Sequence, residues 1–291
     1  MILNKYNEID NQISKTFSEA AIENINKDSV DYLGINITPN IKDNFYFKIY
    51  SQNKIYDYSQ YNNDYLINYL SQKNMIRFLT MVQDKNNNNF SRYDIGLNQL
   101  EDSEYEELFE WLSKNVNIFN KNKDEIIKLS KMKRKPNNKY SSFHFIGFVK
   151  ENEEFKLLKC HWINRIRKGS SVYKNSYYLN FLKRKNIPAF NELIPYAKSA
   201  IKNCKGHLMM EGIDYNENTQ EKYKIYVRCY GSAKTYSGLT KTFENNEEII
   251  RKINIVQEWN NIHKEFYCDG FAICKDIYNN LILNLYFRLY K

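Results

Sequence analysis

The sequence predicts an α+β fold: a ten-stranded antiparallel β/α barrel built from about five repeats of two helices and two strands, helices outside. Three observations carry that expectation. A module recurs in which a short apolar strand carrying a glycine is followed by a turn and a second, alternating strand. The spacing inside the module keeps its parity from copy to copy, and the segments between copies space their apolar residues at three and four, as helices do. Ten antiparallel strands leave two unpaired edges unless they close, and at this number closure leaves room for a ligand.

Taken in order, residues 5–27 read as helical, and the first copy of the module is YLGINITPNIKDNFYFKIY (32–50). A helical pattern over 59–73 leads to a degenerate copy, MIRFLTMVQDKNNNNFSRYDIGL (75–97), which lacks the glycine at the matching place. Helical patterns over 102–116 and 123–133 precede HFIGFVKENEEFKLLKCHW (144–162). Those over 174–184 and 189–204 precede MEGIDYNENTQEKYKIYVRCY (210–230), and 245–266 precedes CDGFAICKDIYNNLILNLYFRLY (268–290). Several helices start from Ser, Asp or Asn caps, and Asn, Asp, Lys and Glu cluster at the hairpin turns. Gly34 to Lys48 and Gly270 to Asn284 are 14 residues apart; Gly147 to Lys159, Gly212 to Lys224 and, in the degenerate copy, Thr80 to Arg92 are 12. A difference of two preserves the side of the strand on which each residue falls.

The repeat spans almost all 291 residues, so a single domain over 1–291 is expected. Aromatics make up 15%, with 25 Tyr and 17 Phe, enough for a core and for aromatic-lined cavities. A net charge of +9 suggests an anionic partner, against the plainer reading that excess Lys follows the Asn-, Lys-, Ile- and Tyr-rich composition of an A/T-rich genome. No apolar stretch approaches the roughly 20 residues that cross a bilayer, and the N-terminus lacks a signal-peptide layout, so the chain is expected to be cytoplasmic with no membrane partner. The five cysteines lack metal-ligand spacing and are expected as free thiols. KMKRKPNNK (131–139) and NRIRKGSS (164–171) read as basic surface loops, and LEDSEYEELF (100–109) as an acidic helix start.

In the common register the second strands align a tier of Lys48, Arg92, Lys159, Lys224 and Asn284. The next tier is Tyr50, Asp94, His161, Tyr226 and Tyr286, followed by Arg228 and Arg288 and then Tyr230 and Tyr290. Alternate positions are mostly apolar, so these tiers would line the lumen while Ile225, Val227 and their equivalents pack on helices. Converging cations repel one another and lose hydration, which a bound polyanion relieves. Phenols among them donate to phosphate oxygens, and their ring faces hold a carbocation. That combination suits ionisation of an allylic diphosphate.

With its inward K-x-Y steps, the repeat resembles a bacterial member of the ABBA-type aromatic prenyltransferases, whose fold is the PT barrel. EKYKIYVR (221–228) is similar to the strand that carries a basic residue, Lys and Tyr at alternate positions in the indole-prenylating branch. The resemblance implies transfer of a prenyl group, dimethylallyl or geranyl, from an allylic diphosphate to an indole, a phenol, or a Trp or Tyr of a peptide, in secondary metabolism. By that likeness the diphosphate set is Lys48, Arg92, Lys159, Lys222, Lys224, Tyr226, Arg228 and Arg288, and the cation shield is Tyr50, Tyr226, Tyr286 and Tyr290. His161 stands where the family pattern has Tyr, and Asp94 has no clear counterpart. Glu211 and Asp269, each just before a module glycine, are the candidate bases. The Asp-rich magnesium motif of terpenoid synthases is absent, so no cofactor is expected to be required and Mg²⁺ at most stimulates. Two other readings stand beside this one: a basic nucleic-acid binder with Lys48, Lys224 and Arg228 on an exposed face, and a non-catalytic barrel for a phosphorylated metabolite.

Overall fold

The computed structural model describes residues 30–38, 46–53, 64–84, 91–98, 100–131, 143–151, 154–163, 187–217 and 220–289, with isolated positions between 176 and 183. The helical expectation over 5–27, the runs 132–139 and 164–171, most of 174–184 and Tyr290 lie outside them.

The ten strands are β1 (Val30–Ile37), β2 (Tyr46–Asn53), β3 (Ile76–Asp84), β4 (Ser91–Leu97), β5 (Phe143–Glu151), β6 (Glu154–Ile163), β7 (His207–Tyr215), β8 (Gln220–Arg228), β9 (Phe266–Asp276) and β10 (Leu281–Leu289). Every neighbouring pair is antiparallel, and β1 pairs with both β2 and β10, so the curled sheet meets itself. Each module copy is one hairpin, the degenerate copy included. In that copy Gly96 takes the glycine's part on the second strand: a Cβ there would sit 2.4 Å from the Phe78 ring.

Six helices are described outside the sheet: α1 (Tyr65–Gln72), α2 (Asp102–Asn115), α3 (Asn117–Ser130), α4 (Pro188–Cys204), α5 (Thr235–Thr242) and α6 (Glu247–Ile262). The acidic start of α2 is a capping box in which Glu104 Oε2 accepts from the Glu101 amide at 2.6 Å. The helix expected over 245–266 is shorter, Glu247–Ile262, and two larger differences stand beside it. The second helix after β4 begins at Asn117 rather than 123, because Ile118 and Phe119 are buried with Ile126 and Leu129. α5, which the periodicity did not announce, forms from a segment rich in Ser, Thr and Gly. It is held by packing: a Cβ on Gly238 would lie 2.6 Å from Cys204 Sγ and 2.7 Å from the α4 backbone, so only glycine lets the two helices approach this closely.

The apolar core lies between the sheet and the helices. Strand residues of one parity fill it, among them Phe143, Leu158, Trp162, Ile213, Ile225, Leu285 and Phe287. Trp259 of α6 meets Phe287 edge-on at 5.4 Å between ring centroids, and Trp162 Nε1 donates to Ser130 Oγ of α3 at 2.9 Å. At about 25 cal/mol per Å², each such side chain contributes roughly 2–3 kcal/mol. All five cysteines are buried and unbridged. No described helix is long and apolar enough to cross a membrane.

Candidate functional site

Because one parity of the described strand side chains is committed to the helical layer, the other faces a cavity of about 580 Å³ inside the curled sheet. β8 shows the division. Ile225 packs in the core and Tyr223 meets Phe190 of α4, whereas Lys222, Lys224, Tyr226 and Arg228 line the cavity. The same register brings Arg92, Lys159, Tyr286, Arg288, His161, Asp94 and Asn284 to its wall. Lys48 and Tyr50 hold the matching register on β2, opposite Gly34 and Tyr32; their side chains lie outside the described residues.

Seven basic side chains line the cavity, and three carboxylates stand among them: Asp94, expected in that tier, Asp269, a candidate base, and Asp214, which the second-strand register does not include. Lys224 Nζ lies 2.5 Å from both oxygens of Asp214, with each residue about 95% buried. Arg92 pairs with Asp94 at 3.3 Å and Arg228 with Asp269 at 3.1 Å. Asp214 faces the lumen two residues beyond Gly212, on the first strand of its hairpin, whereas the expected lumenal tiers come from second strands. Burial pushes the Asp214 carboxyl up; Lys224, Lys159 and Lys222 outweigh it and leave its pKa below the usual carboxylate range. Asp94 is likewise lowered, burial being overcome by Arg92, Lys159, His161 and Lys224. Among the described residues Lys159 makes no hydrogen bond or ion pair; burial first, then Arg92 and Lys224, press its ammonium toward the neutral form.

The charges fall into two groups. Arg92, Asp94, Lys159, Asp214, Lys222 and Lys224 act on one another, whereas Arg228 and Arg288 both act on Asp269. Four residues of β8 separate Lys224 from Arg228, about 13 Å at 3.3 Å per residue. Arg228 and Arg288 therefore belong to the far end, where their guanidinium carbons lie 4.7 Å over Tyr230 and 5.1 Å over Tyr32. Rings bridge the interval. Tyr286 stacks on Tyr226 at 6.0 Å, Tyr226 meets His161 at 5.5 Å, His161 meets Phe145 at 6.1 Å, and Phe145 meets Phe78 at 5.4 Å.

Glycines make room for the belt and the charges. A Cβ on Gly212 would sit 2.4 Å from His161 Cδ2, and one on Gly147 would sit 2.2 Å from Asp94 Oδ1, so the module glycine is where a neighbouring strand's side chain crosses into the lumen. Of the two candidate bases, Glu211 is corrected: its parity matches Ile213 and Tyr215, and it is fully buried on the helical side beside Trp162 and Ile225. Asp269 does face the cavity, because a bulge between the Tyr286 and Phe287 pairings puts it and Gly270 on the same side. No signal in the sequence locates that bulge. Among the described residues no group of three or more His, Cys, Asp or Glu is placed to hold a metal ion.

No family model and no curated protein sequence matches the chain. Solved structures do. AnaPT from Neosartorya fischeri superposes with a TM-score of 0.60 at 10% identity, over 89% of this chain and 78% of that one. The 6-dimethylallyltryptophan synthase from Micromonospora olivasterospora, solved with DMASPP and Trp, gives 0.56 at 7% identity over 91% and 83%. The 5-dimethylallyltryptophan synthase from Streptomyces coelicolor gives 0.55 at 6% over 90% and 81%. The chain thus has the fold of the ABBA-type aromatic prenyltransferases.

Proposed function

We propose that this protein is an aromatic prenyltransferase with a ten-stranded PT barrel of ααββ repeats. It moves a prenyl group, dimethylallyl or geranyl, from an allylic diphosphate to an electron-rich aromatic acceptor. The observation that carries the reading is a cavity of about 580 Å³ in which a buried basic cluster adjoins a continuous aromatic belt. Arg92, Lys159, Lys222 and Lys224, joined by Lys48 through its register, hold the diphosphate. As the C–O bond ionises, these preorganised donors stabilise the charge growing on the leaving group, with Mg²⁺ stimulatory at most. Tyr226 and Tyr286 present ring faces to the allyl cation and, with Phe145 and Phe78, keep water from it. Arg228, Arg288 and Asp269 orient the acceptor at the other end. The solved relative with DMASPP and Trp supports an allylic diphosphate beside an aromatic acceptor. The nucleic-acid reading requires Lys224 on an exposed face, and Lys224 is 5% exposed inside the lumen.

Thermal-shift titration tests this with dimethylallyl, geranyl and farnesyl diphosphates, plain pyrophosphate and an oligonucleotide, all in EDTA. An allylic diphosphate should raise the wild-type Tm by several degrees when present far above its Kd. Lys159→Met, which removes a cation lacking a carboxylate partner, should weaken that binding about 10- to 100-fold, the value of one hydrogen bond to a charged group. Stabilisation by the oligonucleotide alone, or by none of the ligands, overturns the reading.

A further inference from the structure

His161 interrupts the aromatic belt with the one ring in it that can take up a proton. It is 6% exposed, and its Nε2 lies 3.0 Å from Tyr226 Oη. Its Nδ1 is buried with no hydrogen-bond partner among the described residues. A buried N–H without an acceptor forfeits a hydrogen bond, so the ring proton belongs on Nε2, where the Tyr226 oxygen accepts it. That leaves the Nδ1 lone pair without a partner among the described residues, on a ring that lines the cavity. Asp269, the other acid–base candidate at the lumen, has both oxygens engaged by Arg228, at 3.4 and 3.1 Å.

We infer that His161 Nδ1 is the proton acceptor of the transfer, an assignment that rests on the prenyltransferase reading. The allylic C–O bond breaks with its electron pair going to the diphosphate, and the ring's π electrons form the new C–C bond. The C–H bond at that ring carbon then breaks, its pair restoring aromaticity and its proton passing to His161. The imidazolium passes that proton to the departing diphosphate, so the products are a prenylated ring and hydrogen diphosphate. The charged and titratable groups facing His161 are Lys159 on its own strand, Asp94 on β4, Asp214 on β7, and Lys224 and Tyr226 on β8. In the free protein, burial and then Lys224 hold the imidazole neutral, with a pKa of about 3. A diphosphate bound to Lys159 and Lys224 offsets those charges, so the base becomes competent when the donor is in place.

The test follows the ¹⁵N resonances of the four histidines against pH, with and without inorganic pyrophosphate, His161 being assigned by its loss in His161→Gln. Pyrophosphate should raise the His161 pKa by about 1–3 units, the effect of an opposite charge a few ångströms away. Gln keeps a donor near the Nε2 position and lacks Nδ1. With dimethylallyl diphosphate and indole, tryptophan or a phenol, His161→Gln should lower kcat about 10²- to 10⁴-fold while the pyrophosphate thermal shift persists. A ring-deuterated acceptor should then show a primary isotope effect absent from the wild type. An unmoved His161 pKa, or transfer by His161→Gln at the wild-type rate, overturns the assignment and leaves the prenyltransferase reading intact. Wild-type protein that transfers to none of these acceptors overturns both.

Discussion

Lys224 and Asp214 form a close ion pair buried in the lumen, and this shapes how the site responds to change. Removing one partner leaves a buried charge exposed to desolvation without its counterion. Asp214→Ala and Lys224→Ala should therefore each destabilise the protein by about 3–5 kcal/mol, whereas Lys224→Met with Asp214→Leu should cost far less. Chemical unfolding of the two singles and the double measures the coupling, and equal losses that add would show the pair to be independent. Lys159 has no such partner among the described residues, so Lys159→Met should leave the free protein as stable as the wild type or more so. For this reason Lys159→Met separates ligand binding from stability more cleanly than Lys224→Ala. The basic residues were legible from register alone. The partner of Lys224, Asp214, was not legible, since that pairing depends on which strands meet, whereas Arg92 and Asp94 are two residues apart on one strand.

At the scale of elements, the clearest device is the fastening of α1 to the sheet. Asp64 caps α1 by accepting from the Leu66 and Ile67 amides at 3.0 and 3.1 Å, and its other oxygen lies 2.8 Å from Lys150 Nζ of β5. The Lys150 ammonium sits 4.4 Å from the Tyr65 ring and 4.8 Å from that of Phe155. Asp64→Asn keeps the cap and removes the charge; Asp64→Ala removes both. In urea unfolding the alanine variant should lose about 1 kcal/mol more than the asparagine variant, the usual worth of an N-cap. Equal losses would mean that the Lys150 contact accounts for the whole effect. Helix α5 makes a complementary point. Its sequence favours turns, and it is helical because Gly238 lets it press against the end of α4, a contact that no window of local sequence contains.

For the whole molecule, the lumenal groups give stability one direction with pH. His161, neutral when folded with a pKa of about 3, binds a proton in the unfolded chain below its ordinary 6.5, so stability falls as pH drops through that window. Asp94 and Asp214, lowered below 3.8, contribute stability that is present above 3.8 and lost as pH falls further. Lys159, lowered below 10.5, acts in the same sense on the alkaline side: stability rises as pH climbs toward 10.5. Unfolding free energy should increase between pH 4 and 6.5 by about 1 kcal/mol per pH unit from His161, and His161→Gln should flatten that slope. An unchanged slope in the variant would locate the titration elsewhere.

The sequence by itself determined the five hairpins, the parity of their second strands and most of the lumenal cations. A period of two repeated through five hairpins is a local pattern that one core-facing side forces on every strand. The tertiary structure alone decided three things. It turned Glu211 away from the lumen and Asp269 into it, by strand parity in one case and a bulge in the other. It paired Lys224 and Arg228 with carboxylates from neighbouring strands, leaving Lys159 without one among the described residues. And it set His161 against Tyr226 on the cavity wall, because such a contact exists only once strands far apart in sequence curl around a common axis.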